Sequence, residues 1–346
     1  MSRSPLERVL VAIKPWQRGL PLESQHASQL AEALGAKLMI VSSVYEARVA
    51  RRANRGDAAA LAARSRLIEA EHVELERVAQ SLRDWGTNVT TRVAWEAPAY
   101  QAVLDVALEW RADLLVVGVH ERRMRLGTRL TDTDFQLMRL APCPLLLVKD
   151  PAFDGYPTIL AAIDPAHPEA AASGVDRAVL DLSRTIARAC GSELRAVHAL
   201  PPQTPIASPT IEITPGVFVD QDAIEALERR SVAELAAEYD LAPECVDIVH
   251  GPPANVIAET AADRRAGLVV MGVLRRGQVE RAMIGSTAEG VALDVPCDVL
   301  LVPPPPPRVS SAASDLGTQA RDTARTAKPR RRRASSAAAA RRPAAL

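Results

Sequence analysis

A chain of 346 residues has room for two domains of ordinary size. Its 42 basic and 42 acidic side chains cancel, so no overall charge draws the whole chain to nucleic acid, and no apolar run approaches the roughly 20 residues of a membrane span. Aromatics are 3% against 48% apolar, which leaves Ala, Leu, Val and Ile to build the core; Cys143, Cys190, Cys245 and Cys297 form no CxxC pair and read as reduced, buried, small apolar residues of a cytoplasmic protein.

From the start, MSRSPLERVLVAIKP enters an apolar strand at once, with no secretory h-region. Further apolar runs follow at KLMIVSSV, DLLVVGV and PLLLV, with a long Ala/Arg/Glu helix expected over 57–85. The stretch DPAFDGYP carries Pro and Gly and reads as a linker. Beyond it, strands are expected at 158–163, 193–199, 245–250, 267–272 and 298–302. Helices are expected at about 169–189, 221–239, 254–263 and 287–293. Five prolines at 303–307 stop the last strand, and the Ala/Ser/Thr/Arg-rich segment after them has no apolar periodicity. Residues 308–346 hold ten Lys or Arg and two Asp, a net +8 that leaves −8 on the rest.

The two halves repeat each other. RADLLVVGV beginning at Arg111 matches RAGLVVMGV beginning at Arg265, an offset of 154 that also carries APCPLLLV onto VPCDVLLV. A tandem duplication follows, with units at 1–150 and 157–305 and a tail at 306–346. Continuous Val/Ile/Leu strands alternating with helices imply an α/β fold: two tandem doubly wound parallel five-stranded sheets of Rossmann-like type. In such sheets the ligand crevice lies beyond the carboxyl ends of the strands.

Candidate residues in the second unit therefore sit just after its strands: Asp164, the pair His198 and Ala199, the run Gly251, Pro252 and Pro253, and the loop from Gly272 to Gly285, Ser286 and Thr287. A carboxylate at Asp164 can accept from a ribose or an amino group. Gly285, Ser286 and Thr287 at a helix start offer backbone donors, two hydroxyls and the positive dipole end to an anion. The bland alternatives are an Asp-Pro turn and an ordinary N-cap. The six histidines (His26, His72, His120, His167, His198, His250) show no metal spacing; His198 and His250 end neighbouring strands, and a buried, satisfied histidine is the preferred reading of each.

The chain resembles the universal stress protein family, in particular its tandem cytoplasmic members of the E type, over about residues 7–303. The family's glycine motif runs Gly, two residues, Gly, nine residues, Gly, then Ser, Thr or Asn. Gly272 takes its first place, Gly285 its third and Ser286 its last, while Arg275 stands where the family has the second glycine. The segment TDTDFQLMR beginning at Thr131 is similar to the N-terminal half of such proteins. The resemblance implies an adenine nucleotide alpha hydrolase-like fold and, for ATP-binding members, a set of ligand contacts. Asp164 would meet the adenosine, the backbone around Ala199 the adenine, and Gly272, Gly285, Ser286 and Thr287 the phosphates of ATP with its Mg²⁺. Arg275 either blocks the phosphates or, with Arg276, binds them through its guanidinium. The last strand commonly forms the dimer seam, so PLLLVK and DVLLVP could pair within the chain as a pseudo-dimer; a further homodimer is left open.

In the first unit the same count from Gly118 lands on Glu121, then on Thr131 and Asp132, and Lys14 stands in the place of Asp164, so this crevice is expected not to take a nucleotide. The loop 201–216 could instead shield a partly hydrophobic ligand with Ile206, Ile211 and Ile213. A slow ATPase is the enzyme alternative, although no base, metal-binding carboxylate pair or nucleophile is apparent; a ligand-binding regulatory module of the stress response is the leading reading. Residues 328–333 could bind polyanions weakly by counterion release.

Overall fold

The computed structural model describes residues 6–16, 19–119, 130–149, 155–200, 221–273 and 285–305. The first half runs β1 (Arg8–Ile13), α1 (Leu22–Leu34), β2 (Lys37–Ser43), α2 (Ala47–Ala53), α3 (Ala58–Arg83), β3 (Val89–Ala94), α4 (Ala99–Trp110), β4 (Leu114–Gly118), α5 (Asp132–Leu140) and β5 (Leu145–Val148). The second runs β6 (Thr158–Ala162), α6 (Pro168–Ser173), α7 (Val175–Cys190), β7 (Glu193–Leu200), α8 (Gln221–Glu238), a 3₁₀ turn (Pro243–Cys245), β8 (Val246–His250), α9 (Pro253–Asp263), β9 (Leu268–Gly272), α10 (Ser286–Asp294) and β10 (Asp298–Val302).

Each half is a parallel five-stranded sheet, and the two join edge to edge in one ten-stranded sheet of order β3-β2-β1-β4-β5-β10-β9-β6-β7-β8. The join is the antiparallel pair β5–β10, with Leu145 opposite Leu301, Leu146 opposite Leu300 and Leu147 opposite Val299. The expected pairing of PLLLVK with DVLLVP is therefore present within the chain. Every residue of β5 and β10 is buried, because helices cover both faces. The duplication extends to backbone geometry: Arg111 and Arg265 close α4 and α9 at positive φ of 54° and 49°.

Asp298, where the first half has Pro144, gives this join a buried polar centre. One carboxylate oxygen accepts from the Lys149 amide at 2.8 Å. The other accepts from the Tyr156 hydroxyl at 2.9 Å and lies 2.7 Å from Nδ1 of His26. His26 belongs to α1, which packs against α7 across the join. Burial, reinforced by Asp298, pushes the Tyr156 phenol well above its usual range and keeps it a donor. Burial also brings the Lys149 ammonium down to about 8.

Three expectations need correction. The helix expected over 169–189 is two, broken at Gly174, whose φ of 69° ends α6. Its lack of a side chain allows that left-handed step. Only Cys143 and Cys297 are buried; Cys190 and Cys245 are half-buried, and none of the four is in a disulfide. The strand expected at 245–250 is present but starts one residue later, at Val246, because Cys245 ends the 3₁₀ turn before it.

Candidate nucleotide crevice

Parallel strands β6, β7 and β9 deliver Asp164, Ala199 and Gly272 to one end of the sheet. The N-terminus of α10 closes that end, leaving a cavity of about 260 Å³ lined by these residues with Gly285, Ser286 and Thr287. Every described member of the expected site is thus brought together. Pro253 lines the same cavity. Arg275, Arg276 and the loop 201–216 lie outside the described residues.

No side chain caps α10. Gly285 is the N-cap, so neither Ser286 nor Thr287 fills that role. Its carbonyl accepts from the amides of Ala288 and Glu289. The first amides of a helix have no acceptor inside it, and together with the dipole they favour an anion.

The two glycines differ in what they spare. A Cβ on Gly272 would lie 2.7 Å from Cγ2 of Val175, so this glycine lets α7 approach the sheet. A Cβ on Gly285 would meet nothing within 4 Å among the described residues, and its φ of −63° suits any residue. No contact with the described residues requires glycine at 285, which lines the cavity.

The opposite wall is acidic and histidine-bearing. Asp176, in the first turn of α7, is 7% exposed and accepts from the Asp164 amide at 3.1 Å through one oxygen. Its other oxygen is buried with no hydrogen-bond partner among the described residues. The same is true of Nε2 of His198 and Nδ1 of His167. Nδ1 of His198 lies 3.0 Å from the Ile163 carbonyl, and its Nε2 is 3.7 Å from Glu228. His198 is therefore buried but only half satisfied. His250, by contrast, is exposed, beside Glu225 at 3.4 Å. Burial pushes the Asp176 carboxyl above the usual carboxylate range. The Asp164 carboxylate adds to that push, against the Asp164 amide bond and the two imidazoles. Buried polar atoms without a partner among the described residues thus sit on three lining residues, and each calls for an explanation.

The corresponding crevice of the first half is also about 260 Å³, but the helix start facing it is closed by its own side chains. Thr131 caps α5, and Asp134 returns its carboxylate to the Thr131 amide at 2.7 Å and hydroxyl at 2.8 Å in a full capping box. The residue that supplies the negative charge is Asp134, buried, rather than the Asp132 singled out by counting; Asp132 is exposed. At the repeat offset Asp134 corresponds to Ala288 in the second half. Lys14, facing this crevice, is exposed.

The family model "Universal stress protein family" matches residues 6–149 and again 155–303. The chain belongs to the universal stress protein family. It is a tandem member of the E type. It is 24% identical to Universal stress protein E of Escherichia coli K12 over 299 residues, 86% of this chain and 93% of that one. It is 25% identical to Universal stress protein E of Photorhabdus laumondii over 221 residues, 63% of this chain and 69% of that one. A crystal structure of a universal stress protein from Archaeoglobus fulgidus has the same fold, with a TM-score of 0.59 at 15% identity, covering 88% of this chain and all of that one.

Within this universal stress protein, sequence reasoning missed Asp176, His167 and Glu228. Asp176 had a readable signal. It shares one helical stripe with Leu180, Ser183 and Ala187, all buried, and a carboxylate on a buried stripe needs a reason.

Proposed function

We propose that this protein is a ligand-binding regulatory module of the stress response whose second crevice takes an adenine nucleotide, ATP with its Mg²⁺. The observation that carries the reading is the start of α10 at Gly285, which lines the cavity and which no side chain caps among the described residues. Phosphates would lie against the Ser286 and Thr287 amides and hydroxyls, and the nucleoside would reach toward Asp164 and the end of β7 at Ala199. Among the described residues no group of three or more His, Cys, Asp or Glu could hold a metal ion, so Mg²⁺ would arrive on the phosphates. The first crevice, its helix end already occupied by Asp134, would take no nucleotide.

The crevice would bind without turnover. Phosphate release from MgATP that disappears in Ser286→Ala would instead make the protein a slow ATPase. Mass spectrometry of small molecules released from purified, denatured protein tests the ligand directly. Co-purified ATP or ADP supports the reading; a lipid-like molecule in its place overturns it.

A further inference from the structure

The cavity has two chemically opposite ends. The α10 end presents positive dipole and backbone donors, whereas the wall formed by the β6 end and α7 presents the Asp164 and Asp176 carboxylates. An anionic group is attracted to the first and repelled by the second. A ligand spanning both is therefore anionic at one end and, at the other, carries hydrogen-bond donors and no negative charge.

Asp176 is positioned to read that second end. Its side chain is fixed by the hydrogen bond from the Asp164 amide, so its remaining oxygen has a set direction and no protein partner among the described residues. It is 7% exposed, so a buried acceptor there is left unsatisfied at a cost comparable to a lost hydrogen bond. A capping role does not account for it. The bond from the Asp164 amide uses one oxygen only, and Asp176 lies within α7 after its N-cap Gly174. Asp164, with a side chain 56% exposed, stands beside it at the cavity mouth and is the weaker discriminator. A buried acceptor penalises a ligand that lacks the matching donor far more than a solvated one does.

We infer that Asp176 is a specificity-determining residue of the crevice, accepting through its free carboxylate oxygen a hydrogen bond from a ribose hydroxyl of the bound nucleotide. The inference rests on the nucleotide reading above and adds to it the group that distinguishes ribose from deoxyribose.

Isothermal titration of the full chain with MgATP, Mg-2′-deoxy-ATP and Mg-3′-deoxy-ATP tests it, in the unaltered protein and in Asp176→Asn and Asp176→Ala. Thermal melts establish that each variant is folded. The unaltered protein is expected to lose about tenfold in affinity for one of the two deoxy analogues, the worth of one buried hydrogen bond of about 1.4 kcal/mol. Asp176→Ala is expected to bind that analogue and ATP within about threefold of one another, because the partner of the missing hydroxyl has gone, whereas Asp176→Asn keeps a polar group there and retains part of the discrimination. Equal affinity for all three nucleotides in the unaltered protein, or discrimination that persists in Asp176→Ala, overturns the role of Asp176 and leaves the nucleotide site standing. No binding of any of the three nucleotides overturns the nucleotide reading together with the inference.

Discussion

Gly272 and Gly285 sit thirteen positions apart in one motif, yet the structure separates what each does. Gly272 gives Val175 its place against the sheet, with a Cβ there only 2.7 Å from a Val175 methyl. Gly272→Ala is accordingly expected to destabilise the protein by about 1–3 kcal/mol through overpacking, read as a lower midpoint in chemical unfolding. An unchanged midpoint would mean that α7 yields freely. Asp176 shows the reverse trade. Its folded-state proton affinity is raised, so its contribution runs against stability as pH rises from the ordinary carboxylate value through the folded one. Asp176→Asn is thus expected to melt higher than the unaltered protein near pH 7, and to lose that advantage as pH falls through the carboxylate range. A margin independent of pH would show that burial of the charge is not its source. The motif glycines were legible from spacing alone. Asp176 carried only a partial signal, a carboxylate on one helical stripe with Leu180 and Ala187, and its place in the crevice was not legible until the break at Gly174 fixed the start of α7.

Among the elements, the β5–β10 pair decides the architecture. Leu145, Leu146 and Leu147 facing Leu301, Leu300 and Val299 have the continuous apolar character of strands buried on both faces, and that much could be read from the two segments. The polar centre could not. His26, Tyr156 and Asp298 are up to 272 positions apart, and their meeting depends on α1 packing toward α7 across the join. Asp298→Ala leaves the Tyr156 hydroxyl, the Lys149 amide and Nδ1 of His26 without their carboxylate in a dry site. A loss of about 3–5 kcal/mol is expected by chemical denaturation, as for one partner removed from a buried ion pair. A loss under about 1 kcal/mol would place the strength of the join in its leucines alone. The helix ends were legible in the opposite measure. The spacing to Thr131 and Gly285 located both starts, but which carboxylate closes α5 required the geometry of the capping box, and Asp134 took the place given to Asp132.

At the scale of the molecule, residues 1–305 form one compact unit built on a single ten-stranded sheet, not two independent sheets on a string. Calorimetry is expected to show one transition for both halves; two resolved transitions would mean that the β5–β10 join does not couple them. The duplication supplied two crevices of the same size, and their chemistry has diverged: one helix start is closed by its own carboxylate, the other is left open. That asymmetry is the central claim, and titration with MgATP tests it most directly in the unaltered protein and in Gly285→Asp. The substitution places a carboxylate at the N-cap of α10, where it stabilises the helix by about 0.5–1 kcal/mol and takes the position of the ligand's phosphates. The account requires one nucleotide per chain, with affinity at least about tenfold weaker in Gly285→Asp, although that variant melts no lower than the unaltered protein. Two nucleotides per chain, none, or an affinity that Gly285→Asp leaves unchanged would contradict it.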